Sequence, residues 1–157
     1  MKKYEMLLDD KRIISGHTLY RIRRLSDNLL GGYIESEHNL SHEGTCFIYD
    51  EACVFGEATV GDRARVMENA EVDNWAQIDG QAQVGGDARI FGRAWISGRA
   101  RICDEASVCD DAYVGGNALV DGEAQVFGDA LVDGSAHVGG LAHVGGLACV
   151  RGDTVVG

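Results

Sequence analysis

Residues 130–150 read ALVDGSAHVGGLAHVGGLACV. Ala returns every six residues, Val stands two places behind each Ala, and Gly two places behind that. The cadence runs far beyond this stretch. Ala occupies positions 52, 58, 64 and every sixth residue through 148, seventeen times without a miss. Cys46 and Thr154 extend the series at its two ends. Val or Ile follows two residues later at all nineteen positions, from Ile48 to Val156. Two further on, the seventeen Ala hexads carry Gly twelve times and Asp, Glu or Asn five times.

Side chains alternate along a strand, so Ala-x-Val turns two apolar groups to one side. A small residue beside a branched one suits a narrow interior whose walls nearly touch. The x-Gly-x that follows supplies a corner, because Gly, Asp and Asn accept a positive φ. A helix is excluded, since six does not fit a 3.6-residue period and Gly and Val recur too often. A flat meander is disfavoured, because three-residue strands cannot close a core. What remains is a coil of short strands and corners stacked on itself. Each coil pairs in parallel with the next, about 4.8 Å further along the axis. The absence of Pro fits this, because Pro would delete a ladder hydrogen bond.

The pattern resembles the left-handed parallel β-helix of hexapeptide-repeat proteins, in which three hexads make one triangular coil. The three sides and the left hand are implied by that resemblance; periodicity alone gives stacked coils of hexads. The expected fold is all-β, with residues 46–157 forming a β-solenoid of about six coils. Residues 1–45 stand outside the repeat and form an N-terminal β cap and lead-in coil. There KYEMLL and TLYRIRRL read as strands of a hairpin around DDKRIISGH, which would shield the first coil from water. The run LYRIRRL…GGYIESEHNLSHEGTCFIYDEACVFG is similar to the opening of the YdcK-like group of bacterial and prophage hexapeptide-repeat proteins. An acyltransferase activity is commonly assigned to that group, and a prophage setting implies a phage-encoded inhibitor of a host system or an assembly factor.

Composition limits the partners. The chain of 157 residues carries a formal charge of −11. Residues 1–50 hold 7 basic and 8 acidic side chains, and residues 51–157 hold 7 and 17, so the charge sits on the repeat body. Such a surface repels polyphosphate, and nucleic acid is not an expected partner. The opening MKKYEMLLDD is not a signal peptide, and no apolar run approaches the roughly 20 residues of a membrane span. A cytoplasmic protein without membrane contact is expected. Five Cys without CxxC spacing read as reduced thiols.

Several residues are candidates for chemistry. Hexapeptide-repeat acyltransferases use a His as general base near a subunit boundary, with acyl-CoA lying along the coils. On that resemblance His137 and His143 are the catalytic alternatives, and acetyl-CoA the alternative cofactor. His17, His38 and His42 lie in the cap. Residues six apart fall on adjacent faces, so His137 and His143 do not share one, and no excursion loop walls a pocket. AHVGGLAHV is not a zinc motif, and neither metal nor other cofactor is expected. Asp62, Asp104 and Asp110 read as turn formers. Arg63, Arg65, Arg99 and Arg101, with Gln81 and Gln83 between them, form a stripe able to hold an anionic ligand unless neighbouring carboxylates pair with it.

Ladders of residues eighteen apart define the outer surface. One reads Thr59, Gln77, Trp95, Tyr113, Leu131, Cys149, and a neighbouring corner ladder reads Phe55, Asp73, Phe91, Cys109, Phe127, Gly145. Phe91, Trp95, Cys109, Tyr113, Phe127 and Leu131 are therefore expected to form one apolar patch, extended by Leu147 and Cys149. Such patches mark interfaces. The expected function is a non-catalytic structural or protein-binding module that associates with itself and with another protein. The family resemblance implies a trimer through the apolar patch, and the final repeat ACVRGDTVVG offers an end-to-end dimer. An acyltransferase and a binder of small anions at subunit interfaces are the alternatives.

Overall fold

The computed structural model describes residues 1–157. Strand β1 (Tyr4–Ile14) and strand β2 (His17–Arg24) form an antiparallel hairpin, and β3 (Leu30–Ile34) pairs antiparallel with β2. Nineteen two-residue strands follow, from Phe47–Ile48 to Val155–Val156, one per hexad. They assemble into three parallel sheets. Face A continues the hairpin and β3 through Cys53–Val54 to His143–Val144. Face B runs from Thr59–Val60 to Cys149–Val150, and face C from Phe47–Ile48 to Val155–Val156. The chain visits A, B and C in turn, so each residue meets the one eighteen places later.

The core is a single column. Every Ala from 52 to 136 and every Val or Ile from 48 to 138 is almost fully excluded from solvent. These side chains project inward from three walls, and the column is too thin to admit a long side chain at the Ala position. Backbone groups are satisfied from coil to coil: Trp95 N–H donates to Ala112 O at 3.0 Å, and Ser97 N–H to Val114 O at 2.9 Å. The same bonds continue through the corners, as from Arg99 N–H to Gly116 O at 2.7 Å. No helix is long and apolar enough to cross a membrane.

Each corner has one residue in the left-handed region. Gly fills most of these positions, while Asp62, Asp104 and Asp110 hold φ between 54 and 59°. The acids are compensated. Asp62, Asp104 and Asp110 accept hydrogen bonds from the N–H groups of Gly80, Gly122 and Gly128 at 3.1, 3.1 and 3.0 Å. Their reading as turn formers holds, and each also ties its corner to the coil beyond it.

The cap differs from expectation in one respect. Strand β1 does not stop at Leu8 but continues to Ile14, with a register shift between Leu7 and Lys11. The turn is only Ser15–Gly16, both at positive φ, which is the geometry that joins two twisted strands through two residues. A lead-in coil precedes the Ala hexads. Strand β3, Leu40 (bridged to Val60) and Phe47–Ile48 complete a coil ahead of the first Ala hexad. Gly31 and Gly32 permit it, because a Cβ there would meet Ile48 O at 2.5 Å and Ala52 O at 2.3 Å.

Tyr4, Ile22, Ile34 and Phe47 close the top of the column. The Tyr4 hydroxyl donates to Leu40 O at 2.8 Å, and burial pushes its phenol well above the ordinary range. Asn39 is fully buried and fully used: Oδ1 accepts from Glu35 and Ser36 N–H, and Nδ2 donates to Gly56 and Ala58 carbonyls. A buried amide with all four bonds made fixes the lead-in loop against the next coil.

Two outcomes test this fold. Ala112→Leu overfills the column and should cost about 1–3 kcal/mol or more, read by urea unfolding. Asp110→Ala should cost about 1–2 kcal/mol, because it keeps the positive φ and removes the bond to Gly128. Asp110→Gly should cost less than Asp110→Ala, since only the bond is lost.

Candidate functional site

Each face presents two outward ladders, one from the residue between Ala and Val and one from the residue after Val. Corner residues stand between faces. This arrangement decides where the expected site residues lie.

The expected apolar patch divides. Phe91, Cys109 and Phe127 follow strands of face A, whereas Trp95, Tyr113, Leu131 and Cys149 belong to strands of face B. The turn from Phe91 to Ala94, closed by Ala94 N–H to Phe91 O, separates them. The residue after Val is the last one on its face, not a corner residue, so its side chain leans back over its own sheet. The Arg89 guanidinium lies 5.8 Å from the centre of the Phe91 ring, and the Phe127 ring meets His143 edge-on at 6.5 Å. The Phe127 ring also occupies the space a Cβ would take at Gly145.

On face B, Trp95 and Tyr113 pack edge to face at 5.1 Å. Trp95 Nε1 donates to Asp79 Oδ2 at 2.9 Å, and Gln77 Nε2 donates to the same oxygen at 2.9 Å. Trp95 remains 45% exposed. Trp75, a corner residue that the ladder argument passed over, is 63% exposed, and Leu147 on the same corner is also exposed. Its signal was available: Trp75, Arg93, Asp111, Asp129 and Leu147 share one eighteen-residue ladder.

The two histidines lie on different faces. His137 is on face C, with Nε2 2.9 Å from Asp121 Oδ1. His143 is exposed on face A beside Phe127. No group on a neighbouring loop stands over either ring, because the coils run from Ala52 to the end without an excursion. His17, in the cap, has Nδ1 2.9 Å from Glu35 Oε1, and Glu35 Oε2 also accepts the Gly56 N–H at 2.7 Å. Burial opposes ionisation of Glu35, yet these bonds hold its carboxyl below the usual range.

Arg65 and Arg101 flank Gln83 on face C, while Arg63, Gln81 and Arg99 line the corner before it. All four Arg are exposed, and none forms an ion pair within the chain. The stripe is unneutralised, so internal pairing with carboxylates does not account for it. All five cysteines are free. Burial and the neighbouring Asp104 and Asp110 push the thiols of Cys103 and Cys109 up, which disfavours their thiolate forms. No cluster of three or more His, Cys, Asp or Glu is arranged to hold a metal ion.

Asp73 occupies the face A ladder between Phe55 and Phe91. Its Oδ1 is buried without a hydrogen-bond partner. Burial pushes its carboxyl up, Glu71 adds to this, and Arg89 and His17 oppose it. The folded chain therefore holds this proton more tightly than the unfolded chain does. The stabilising contribution is present at low pH and fades as pH rises through and above the carboxylate range. Asp73→Asn should raise stability at pH 7 by up to about 1 kcal/mol. The gain should shrink in acid, as followed by thermal unfolding across pH.

Residues 82–98 and 124–140 match a family model described as YdcK Beta solenoid repeat. Each matched segment begins at the Ala of a hexad and covers one coil of the structure less its last residue. No curated protein matches the chain. In these two coils the chain is similar to the YdcK β-solenoid repeat.

Proposed function

We propose that this protein is a non-catalytic assembly module, a rigid β-solenoid that works by presenting flat faces to other protein surfaces and to copies of itself. One observation carries the reading: the wall is continuous. General-base chemistry needs a proton acceptor beside an enclosed acceptor site. Here His137 is engaged by Asp121 on an open face, and His143 stands on a different face against Phe127. The concave places are open depressions: corner ones such as that lined by Trp75, Arg93, Asp111 and Asp129, one on face B beside His38 and Ser41, and one in the cap between Lys3, Leu25 and His42. Small ligands bind in pockets that bury most of their surface. Flat, rigid, ladder-built faces suit protein surfaces, which are of the same shape.

A second reading has a specific observation in its favour. The unpaired guanidiniums of Arg63, Arg65, Arg99 and Arg101 suit a small anion as well as a carboxylate-bearing surface.

Light scattering at about 100 µM protein should give at least twice the monomer mass. Acetyl-CoA at about 1 mM should leave the thermal unfolding midpoint unchanged. Stabilisation by acetyl-CoA, with turnover abolished by His137→Ala or His143→Ala and binding retained, would establish an acyltransferase instead. Stabilisation by phosphate or citrate that Arg99→Ala with Arg101→Ala removes would establish the anion binder.

A further inference from the structure

We infer that face C is a self-complementary electrostatic interface, on which a second copy of the chain packs around a two-fold axis parallel to the coil axis. The inference rests on the self-association proposed above and assigns it a surface and a symmetry.

The argument begins with what borders the face. Along the edge shared with face B stand Arg63 and Arg99, with Arg65 and Arg101 just inside it. Along the edge shared with face A stand Glu68, Asp87, Asp104, Glu105 and Glu123. All nine side chains are exposed, and no ion pair joins any of them to another group. The four guanidiniums make no side-chain hydrogen bond either. On the other edge Glu68 and Asp104 accept from the Gly86 and Gly122 N–H groups, and Asp87 accepts from Asn69. Asp62, bonded to the Gly80 N–H, and the corner residues Arg151 and Asp153 also stand on the first edge. Over the coils of Arg63 to Arg101 the face thus carries its guanidiniums along one long edge and carboxylates along the other, and the guanidiniums are unpaired within the chain.

The charges are also matched in height. The coil that carries Arg63 and Arg65 turns out of face C at Glu68. The next carries Gln81 and Gln83 and turns at Asp87, and the next carries Arg99 and Arg101 and turns at Asp104 and Glu105. A two-fold axis lying in the interface and parallel to the coil axis exchanges the two edges and keeps every coil level with itself. Arg99 and Arg101 then meet Asp104 and Glu105 of the second copy, and the reverse holds across the axis. An isologous contact of this kind satisfies both sets at once. The alternative two-fold, perpendicular to the coils, sets Arg against Arg.

The other faces lack this match. Around face B the same operation places Arg93 opposite Arg99, like charge on like. Face A is bordered by carboxylates on both edges.

The middle of face C allows close approach. Gly85 and Gly139 are buried, and Met67, Cys103 and Leu119 are partly buried, so the sheet is low there, while Arg65, Gln83 and Arg101 project from its other outward positions. Five coils at about 4.8 Å and five residues at about 3.3 Å give on the order of 400 Å² per copy. With side-chain relief, the pair approaches the roughly 1,000 Å² at the lower end of specific interfaces. A weak, salt-sensitive dimer follows.

The test is a charge swap. At about 100 µM and 50 mM NaCl the wild-type chain should scatter as a dimer, and its Kd should rise about tenfold or more by 500 mM NaCl. Arg99→Glu with Arg101→Glu should be monomeric, as should Asp87→Arg with Glu105→Arg. An equimolar mixture of the two variants should recover the dimer mass. Every substituted side chain is exposed, and unfolding midpoints close to wild type will show that the coils are intact. A wild-type monomer at this concentration would overturn self-association and the face assignment together. A wild-type trimer would overturn the two-fold. A wild-type dimer that survives Arg99→Glu with Arg101→Glu, or a mixture that stays monomeric, would overturn the face assignment and leave self-association standing.

Discussion

A column too narrow for more than one small and one branched side chain per wall dictates everything else in this molecule. With Ala at the first inward position of each side and Val or Ile at the second, three walls close on one another and shut solvent out. Dense packing of this kind penalises both larger and smaller groups. The backbone has no freedom to wander, because a residue that left the wall would unseat its inward neighbours. Uninterrupted coils are thus a consequence of the column as much as of the hydrogen-bonded ladders.

The same constraint explains why some parts of the structure were legible and others were not. From Ala52 onward each residue has one of six roles, and its position in the hexad gives its direction. Sheet membership, register and burial follow from counting by eighteen. Counting does not reach the first coil, which replaces the Ala hexads with Gly31, Gly32, Asn39 and Leu40 and is held by side-chain bonds specific to it. Nor does it reveal that β1 runs on past Leu7, since the register shift leaves no repeating trace. The aromatic ladders are less legible for a narrower reason. Counting by eighteen gives ladder membership but not the side of the corner on which the residue after Val falls, and the structure puts Phe91, Cys109 and Phe127 after strands of face A and Trp95 and Tyr113 on face B. The opposed charges of face C were present in the same ladders but lay on two edges that were read separately.

The corners connect fold to electrostatics. Each needs a residue at positive φ, and Gly meets that need at no steric cost. Where an acid stands instead, its carboxylate takes an N–H from the coil beyond, which offsets the strain locally. That substitution also places a negative charge at a fixed height on an edge of the prism. Geometry and charge are thus set by one choice per corner. Asp62, Glu68, Asp104 and Asp110 contribute four of the seventeen acidic side chains of the repeat body in this way.

Because the inward residues carry the stability and the outward ones do not, the faces are free to differ. In a solenoid each coil contacts only its neighbours, so stability accrues along the axis and is nearly independent of what projects from the walls. Face A carries Arg89, Phe91, Phe127 and His143, face B a Trp95–Tyr113 pair over Asp79, and face C its separated charges. Lines of side chains at a regular spacing, on a support that does not bend, are what a surface needs to match another surface of the same build. A second copy of the same prism, aligned coil for coil, is the occupant proposed for face C on that ground.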